Sequence, residues 1–345
     1  MDRLPYSPYE RQWPSDGQPT MLFVLAVALL IGGGLLAGVL FKPFSWQGNA
    51  APAPSRVSEL VYPATLDMEL AQPANGAWLL PTAATSLGGL TFVLDTGNSR
   101  VLGLDSAGTP TYDSSAAAGL EQPMAIATDG SRLFVADSLA GQVLVLDPEG
   151  GLEKAIRLPG APGAEGAARP IGIAVAPDGR ILVSDAANHL VLILDGQGNL
   201  LKTVGTGVRA AGSEGFNVPG ALTVDAQGNF YVVDTLNGRV VKRSPDGAFI
   251  RDYGHLGGTA GTLSRPKGVA VDASGRVFVS DGLLAAVEVF APDGTYLGLI
   301  GRRDPGDPLS GSLFVAPAGL SLAGDRLLVT DRFAGLVAFD LPGGH

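Results

Sequence analysis

Short apolar stretches separated by turn-forming residues repeat along most of this chain. In residues 220–254 the segments GALTV, FYVV, RVVKRS and AFIRDYG alternate with turns that contain Asp, Gly or Asn. Apolar runs of this length, bounded by such residues, are typical of β-strands that are joined in hairpins. The pattern therefore predicts four short antiparallel strands in this unit.

The same unit occurs six times. An aspartate ends the second strand of each copy, at intervals of 42, 48, 49, 47 and 50 residues: Asp95, Asp137, Asp185, Asp234, Asp281 and Asp331. A proline is expected to open the first strand of each copy: Pro73, Pro123, Pro170, Pro219, Pro266 and Pro317. One four-stranded sheet cannot bury both of its faces, whereas six sheets packed radially can. We therefore predict an all-β fold, a six-bladed β-propeller of four-stranded antiparallel blades, over residues 59–345.

Closure of this ring requires one further strand. The sixth copy stops at LVAFDLPGGH, one strand short, whereas the segment SELVYPATL at 58–66 precedes the first copy and has no other role. We predict that 58–66 supplies the outer strand of the last blade.

The repeat resembles the NHL repeat. Its form is P-x-G-(I/V)-A-V-x-x-x-G-x-(V/L)-x-V-(A/S)-D-x-x-N-x-x-V, followed by a Gly-rich stretch and a proline, and residues 169–219 match it throughout. The resemblance covers roughly residues 73–345 and implies a propeller. Propellers of this kind serve as sensor domains, RNA or protein binders, and a few lyases and lactonases, so the resemblance implies no single activity.

The aspartate row is interpreted as architecture. A carboxylate at a chain reversal accepts hydrogen bonds from the turn's own N–H groups, and an asparagine follows three residues later in Asn98, Asn188 and Asn237. A metal site needs several ligands around one centre, whereas these residues belong to separate blades. We predict a structural turn row rather than a catalytic or metal site.

Calcium lactonases that resemble this fold hold their metal in the central channel, with carboxylates and amides. Among the residues expected to enter the inner strands here, only Asn75 and Lys267 are polar. Related lyases use several histidines on zinc, whereas this chain has His189, His255 and His345. We expect no catalytic residue, no metal and no cofactor, which favours a binding module over an enzyme.

The N-terminal region differs from the repeats. Residues 1–20 form a proline-rich tail with Tyr6, Tyr9 and Trp13, which are candidates for docking on a neighbour; a disordered tail is the alternative. Residues 21–41 carry no charge and are long enough to cross a bilayer core of about 30 Å, so we predict a retained transmembrane helix. Cleavage after Ala50 as a signal peptide is the alternative. Residues 42–58 are predicted to be a linker.

Small residues four apart in the apolar segment allow close helix packing: Gly34 with Gly38 and Gly33 with Ala37. The alternative is that glycine is simply frequent in membrane spans. The flanking charges, Arg3 and Arg11 before the segment and Lys42 and Arg56 after it, are balanced. A short tail before an uncleaved anchor favours export of the C-terminal domain, so we expect a bacterial inner membrane with the propeller on the periplasmic, extracytoplasmic side.

Charge and composition limit the class of partner. The net charge of −10 argues against nucleic acid, and the absence of cysteine excludes a disulfide scaffold. One side of the ring is expected to carry the long interblade loops and most loop arginines: Arg100, Arg169, Arg209, Arg239, Arg265, Arg302, Arg303 and Arg332. Loops on a rigid scaffold often bind ligands, so this side is the candidate binding face for a protein or an anionic ligand. A solvated rim, with the arginines paired to nearby carboxylates, is the alternative.

These observations favour a membrane-anchored scaffolding module that binds other membrane-protein subunits, as an accessory subunit of a larger bacterial membrane complex. Two alternatives stay open. One is a free-standing sensor or ligand-binding domain, and the other is a propeller lyase or lactonase-like hydrolase with an atypical channel site.

Overall fold

The computed structural model describes residues 62–70, 78–114, 119–160, 167–301 and 311–342. Within these ranges the chain forms six separate four-stranded sheets, each antiparallel throughout, which are the blades of a propeller. Two single 3₁₀ turns, Thr96–Asn98 and Thr235–Asn237, follow second strands. The all-β, six-bladed prediction is confirmed.

Blades are numbered in chain order, and strands run from the innermost to the outermost. The strands of blades 1 and 2 are β2 (Pro81–Leu87), β3 (Leu90–Asp95), β4 (Arg100–Leu104), β5 (Pro110–Asp113), β6 (Pro123–Thr128), β7 (Leu133–Asp137), β8 (Gln142–Leu146) and β9 (Leu152–Arg157). Those of blades 3 and 4 are β10 (Pro170–Val175), β11 (Ile181–Asp185), β12 (Leu190–Leu194), β13 (Leu200–Val204), β14 (Pro219–Val224), β15 (Phe230–Asp234), β16 (Arg239–Arg243) and β17 (Phe249–Tyr253). Those of blades 5 and 6 are β18 (Pro266–Val271), β19 (Val277–Asp281), β20 (Ala286–Phe290), β21 (Tyr296–Ile300), β22 (Pro317–Ala323), β23 (Arg326–Asp331), β24 (Gly335–Asp340) and, from the start of the described chain, β1 (Thr65–Leu70).

The outer strand of blade 6 comes from the N-terminal side of the propeller. Strand β1 pairs antiparallel with β24, with Thr65 opposite Asp340. This strand shares only Thr65 and Leu66 with the predicted segment 58–66, so the strand lies further along the chain. The reason is Tyr62, which is buried beside Phe278 of blade 5 and donates its N–H to the carbonyl of Leu299 at 2.8 Å.

The first strand of blade 1 also differs from the prediction. It begins at Pro81, which pairs with Asp95 as Pro123 pairs with Asp137. The N–H of Leu79 binds the side chain of Asp95 at 2.8 Å, so the residues before Pro81 form the loop that enters this blade. Pro73 and Asn75 lie outside the described residues. The channel wall receives Thr82 and Ala83 from this blade instead.

Other expectations for the N-terminal region concern residues outside the described ranges. These are the tail 1–20, the apolar segment 21–41 and the linker up to residue 58, with Tyr6, Tyr9, Trp13, Gly33, Gly34, Ala37 and Gly38. Among the residues that the structure describes, no helix has the length and apolar character needed to span a membrane.

The hydrophobic core lies between neighbouring blades. One buried cluster occupies each interface in the described part of the ring, for example Phe216 and Phe230 between blades 3 and 4. The cluster between blades 5 and 6 includes Tyr62, which ties the N-terminal segment to the ring. Each strand therefore alternates side chains into two interfaces, which explains why second and third strands are apolar throughout.

The innermost strands contact one another in a closed ring, β2–β6–β10–β14–β18–β22 and back to β2. A glycine at the third position of several of these strands allows the approach. A Cβ at Gly172, Gly268 or Gly319 would lie 2.4 Å from a carbonyl oxygen of the next blade. At Gly268 that oxygen belongs to Ala318, which also accepts a hydrogen bond from the buried Ser280 hydroxyl at 2.6 Å.

Replacement of Gly268 by alanine should therefore push blades 5 and 6 apart. We expect Gly268→Ala to lower the free energy of unfolding by about 1–3 kcal/mol, the usual cost of overpacking. Urea denaturation followed by circular dichroism measures this. The matched change Gly212→Ala, where a Cβ meets nothing within 4 Å, should be near neutral. Equal effects at the two positions would contradict the packing argument.

Candidate functional site: the entrance face and the central channel

The end of the ring where first strands begin and second strands end is called the entrance face. In a four-stranded antiparallel blade, the interblade loop and the turn between the second and third strands both lie at this end. The turns after the first and third strands lie at the opposite end. All loops that were expected to bind therefore share the entrance face.

The six row aspartates stand beneath this face and are fully buried, with 0% exposure. Each accepts backbone N–H groups from the interblade loop that enters its own blade. Asp331, for instance, accepts from Val315 and Ala316 at 2.8 Å each. The corresponding donors elsewhere are Leu79, Glu121, Gln122, Arg169, Asn217, Ser264 and Arg265. The carboxylates thus fasten the entrance loops to the sheets.

Side chains complete the coordination of three of these carboxylates. The Nδ2 groups of Asn98, Asn188 and Asn237 donate to Asp95, Asp185 and Asp234 at 2.7, 2.6 and 2.7 Å. Each asparagine stands three residues after its aspartate, so the sequence spacing marks a local hydrogen bond. The structure places these residues as parts of a turn, one per blade.

Two arginines of the predicted binding face belong to the same networks. Arg239 is buried and pairs with Asp234 at 2.9 Å and with Asp252 at 2.8 Å. Arg100 pairs with Asp95 at 2.9 Å in the same way. Each is the first residue of the third strand of its blade, so its side chain lies beside the aspartate that ends the second strand of the same blade. The structure thus places Arg100 and Arg239 inside the blades and not on the binding face.

The other predicted arginines divide into two groups. Arg169, Arg209 and Arg265 are exposed on the entrance face, and Arg332 is half-buried beside the channel. Among the residues that the structure describes, none of these four guanidinium groups has an ion-pair partner. Arg302 and Arg303 lie outside the described residues.

Apolar side chains surround these cations. Exposed large apolar residues occur on the described entrance loops of every blade except blade 3, and Leu139 and Phe333 are 67% and 66% exposed. We call this set the apolar rim: Leu79, Leu80, Leu139, Val208, Leu236, Leu256, Leu283, Val315 and Phe333. The remaining exposed large apolar residues of the described chain are on outermost strands: Leu66, Leu152, Leu201, Phe249 and Ile250. Sequence reasoning missed the rim, although an apolar residue soon after the row aspartate was a visible signal.

The opposite face is acidic. Its hairpin turns contain aspartates that bind backbone N–H groups within their own turns, as Asp178 binds that of Arg180 at 3.2 Å. Partial burial opposes ionisation of Asp129, but hydrogen bonds from Ser131 and Arg132 lower its pKa to about 2. The two ends of the ring therefore differ in charge and in polarity.

The central channel has a volume of about 450 Å³ and is lined by the six innermost strands. Its polar side chains at the entrance end are Lys267, Arg332, Thr82 and Thr235. Aspartate, glutamate and histidine are absent from the described residues that line it. Lys267 is exposed at the channel mouth, and desolvation by the surrounding ring, together with repulsion from Arg332 and Arg265, lowers its pKa.

No group of three His, Asp or Glu side chains in the described chain is close enough to hold a metal ion. His189 accepts the N–H of Val218 through Nδ1 at 3.0 Å, and His255 is exposed. His345 lies outside the described residues.

A buried carboxyl group, Glu288, escaped the sequence analysis. It lies on β20 of blade 5, has 0% exposure, and accepts the N–H of Gly261 from the interblade loop at 3.2 Å. Burial raises its pKa to about 7. The signal was present in AVEVF, where one charged residue interrupts an apolar strand.

Comparisons with known proteins identify the same architecture. One NHL repeat matches residues 168–194. No curated protein matches the chain in sequence. Among solved structures, virginiamycin B lyase from Staphylococcus aureus is 11% identical with a TM-score of 0.57, covering 81% of this chain and 99% of that one.

Two further structures have different activities. A gluconolactonase from Xanthomonas campestris is 21% identical, with a TM-score of 0.57 and coverage of 84% and 94%. Hydrazine synthase from Kuenenia stuttgartiensis is 14% identical, with a TM-score of 0.53 and coverage of 81% and 98%. At these identities the likeness shows the fold alone. The chain is thus a six-bladed β-propeller that contains an NHL repeat.

The row carboxylates should contribute strongly to stability. Asp234→Asn removes the charge that Asn217, Asn237 and Arg239 bind, and we expect a loss of about 3 kcal/mol in the free energy of unfolding. Urea unfolding measures it. Asp325→Asn, on the exposed opposite face, should change stability by less than about 0.5 kcal/mol. A similar loss at both positions would rule out the anchoring role.

Glu288 predicts a pH dependence with a definite sign. In the folded protein the carboxyl group of Glu288 keeps its proton up to about pH 7, whereas the ordinary pKa of a glutamate side chain is 4.5. Stability should therefore fall as the pH rises from about 4.5 to about 7, by roughly 3 kcal/mol, and then level off. Glu288→Gln should remove this slope in urea titrations, whereas the exposed Glu149→Gln should retain it. An unchanged slope in Glu288→Gln would exclude this origin.

Proposed function

We propose that this chain is a membrane-anchored, extracytoplasmic propeller that binds other proteins through its entrance face, as an accessory subunit of a larger bacterial membrane complex. The observation that carries the proposal is the apolar rim. Large apolar side chains at many loop tips on one face are typical of protein interfaces, whereas isolated ones are ordinary.

The rim is held in place before any partner binds. The carboxylate row fastens each interblade loop to its blade, as when Asp281 binds the N–H groups of Ser264 and Arg265 at 2.7 and 2.9 Å. Loops that are already ordered lose little conformational entropy on association. The entrance face thus has both the apolar area and the preorganisation that a stable interface needs.

The charges indicate the chemistry of the partner. Arg169, Arg209 and Arg265 are exposed at the rim without a described carboxylate partner. A partner with an apolar surface bordered by carboxylates would match this face. The acidic opposite face would repel the same surface, so only one orientation of the propeller is favourable.

The N-terminal sequence supports a partner in the membrane. The uncharged segment 21–41 would anchor the chain, and the linker 42–58 could extend by about 50 Å at roughly 3 Å per residue. Tethering raises the effective concentration of the propeller near other membrane proteins. Tyr6, Tyr9, Trp13 and the small residues Gly33, Gly34, Ala37 and Gly38 would add contacts to the same assembly.

A second role, ligand binding, is favoured by the cationic mouth of the channel. Lys267 and Arg332 lie where a rigid ring offers a concave site. A lyase or lactonase-like activity has no comparable observation in its favour.

Partner binding should depend on the rim. We expect the full chain, isolated from its native membrane in mild detergent, to carry stoichiometric partner proteins that mass spectrometry quantifies. The double change Leu283→Ser with Phe333→Ser should reduce their recovery at least tenfold, because it removes two large, exposed apolar side chains of the proposed interface.

The matched control is Leu152→Ser with Leu201→Ser, which alters large apolar residues on outermost strands that are 45% and 56% exposed, against 61% and 66% for Leu283 and Phe333. That variant should retain the partners. A wild-type chain that is isolated without partners, or equal losses in both variants, would contradict the proposal.

A further inference from the structure

Two cationic side chains stand at the entrance end of the channel, on neighbouring blades. Lys267 is the second residue of β18 in blade 5, and Arg332 follows the last residue of β23 in blade 6. Both line the channel. Arg265 directly precedes β18. Its positive charge and that of Arg332 repel the charge of Lys267.

These cations have no available counter-charge in the described chain. None of the described residues that line the channel is acidic, and neither cation forms an ion pair there. The carboxylate that attracts the charge of Lys267 is that of Asp281. It is fully buried and accepts the N–H groups of Ser264, Arg265, Leu283 and Leu284, so its oxygens are already occupied.

Clustered cations without a partner are unfavourable in a partly enclosed site, because their mutual repulsion and desolvation are not compensated. The pKa of Lys267 is lowered for this reason. An anion between Lys267 and Arg332 would remove the repulsion and would accept charge-assisted hydrogen bonds from both.

The rest of the channel wall is mostly apolar. Met124, Ile171, Ala221 and Leu320 line it alongside the hydroxyl of Thr235. Its volume of about 450 Å³ lies within the range of small-molecule sites, about 300–1,000 Å³. A second, separate pocket at the far end is lined by Asp129 and Asp225, so a negative charge in the channel is favoured at the entrance, where the cations lie.

We propose that the entrance end of the channel binds an organic carboxylate with an apolar body. Lys267 and Arg332 pair with the carboxylate, Thr235 donates a hydrogen bond, and the apolar body packs against Met124 and Ile171. The ligand is either a free organic acid or the C-terminal carboxylate of a peptide, since both present this chemistry. The site goes beyond partner binding at the rim and requires no protein partner.

Isothermal titration calorimetry on the full chain in a non-ionic detergent tests this site, with titration into detergent alone as the blank. The probes are hexanoate, hexanamide, and a short peptide ending in leucine with a free or an amidated C-terminus. We expect hexanoate to bind at least tenfold more tightly than hexanamide, which lacks the charge. If the peptide with a free C-terminus binds more tightly than hexanoate, and amidation removes that binding, the natural ligand is a peptide C-terminus. If hexanoate binds more tightly than the peptide, the natural ligand is a free organic acid.

The variants Lys267→Gln and Arg332→Gln should each weaken hexanoate binding at least tenfold, whereas Arg157→Gln on an outermost strand should not. Thermal melting checks that each variant is folded, and the hexanamide comparison needs no variant. The rim variant Leu283→Ser with Phe333→Ser should still bind hexanoate, which separates this site from partner binding. Equal affinities for hexanoate and hexanamide, wild-type affinity in both channel variants, or no binding of any carboxylate would overturn the proposal.

Discussion

The hydrogen bond between a buried carboxylate and the backbone N–H groups of an entrance loop is the interaction on which the rest of this propeller depends. Backbone hydrogen bonds join the carbonyl groups of each incoming loop to the turn after the second strand, as when Arg332 donates its N–H to the carbonyl of Ala316 at 3.1 Å, but the loop's own N–H groups would otherwise lack acceptors. The row aspartates supply those acceptors in every blade. Because each carboxylate is saturated by N–H, amide or guanidinium donors, its charge is tolerated at 0% exposure.

This arrangement separates the two faces of the ring. The row carboxylates under the entrance face are bound by backbone groups, so the exposed surface there carries the apolar rim and the loop arginines, together with the exposed carboxylates of Glu121 and Glu214. The hairpin turns of the opposite face keep their aspartates at the surface, as in Asp178 and Asp195. The polarity of the molecule thus depends on where the chain needs acceptors, and the proposed interface and channel site both lie on the side where the row carboxylates are buried and occupied.

The fold could be predicted from the sequence because the propeller is built from six copies of one unit, and the copies can be compared with one another within the chain. Sequence reasoning misassigned the first proline because residues 71–80 depart from the repeat, although the pairing of Pro81 with Asp95 obeys the rule of the other blades. It also counted Arg100 and Arg239 as surface residues. An arginine after a turn is ordinarily exposed, and only the packing of the third strand against its own aspartate makes it internal.

The sequence by itself determined the number of blades, their four-stranded pattern, and the position of Asp234 and its counterparts at the ends of second strands, since these depend on local pattern and spacing. Only the tertiary structure decided that β1 starts at Thr65, that Glu288 is buried, and that the exposed apolar residues share one face. It also brought Lys267 and Arg332 to one channel mouth. Residues far apart in the chain become neighbours through the radial packing of separate blades. A local sequence pattern carries no information about these contacts between blades.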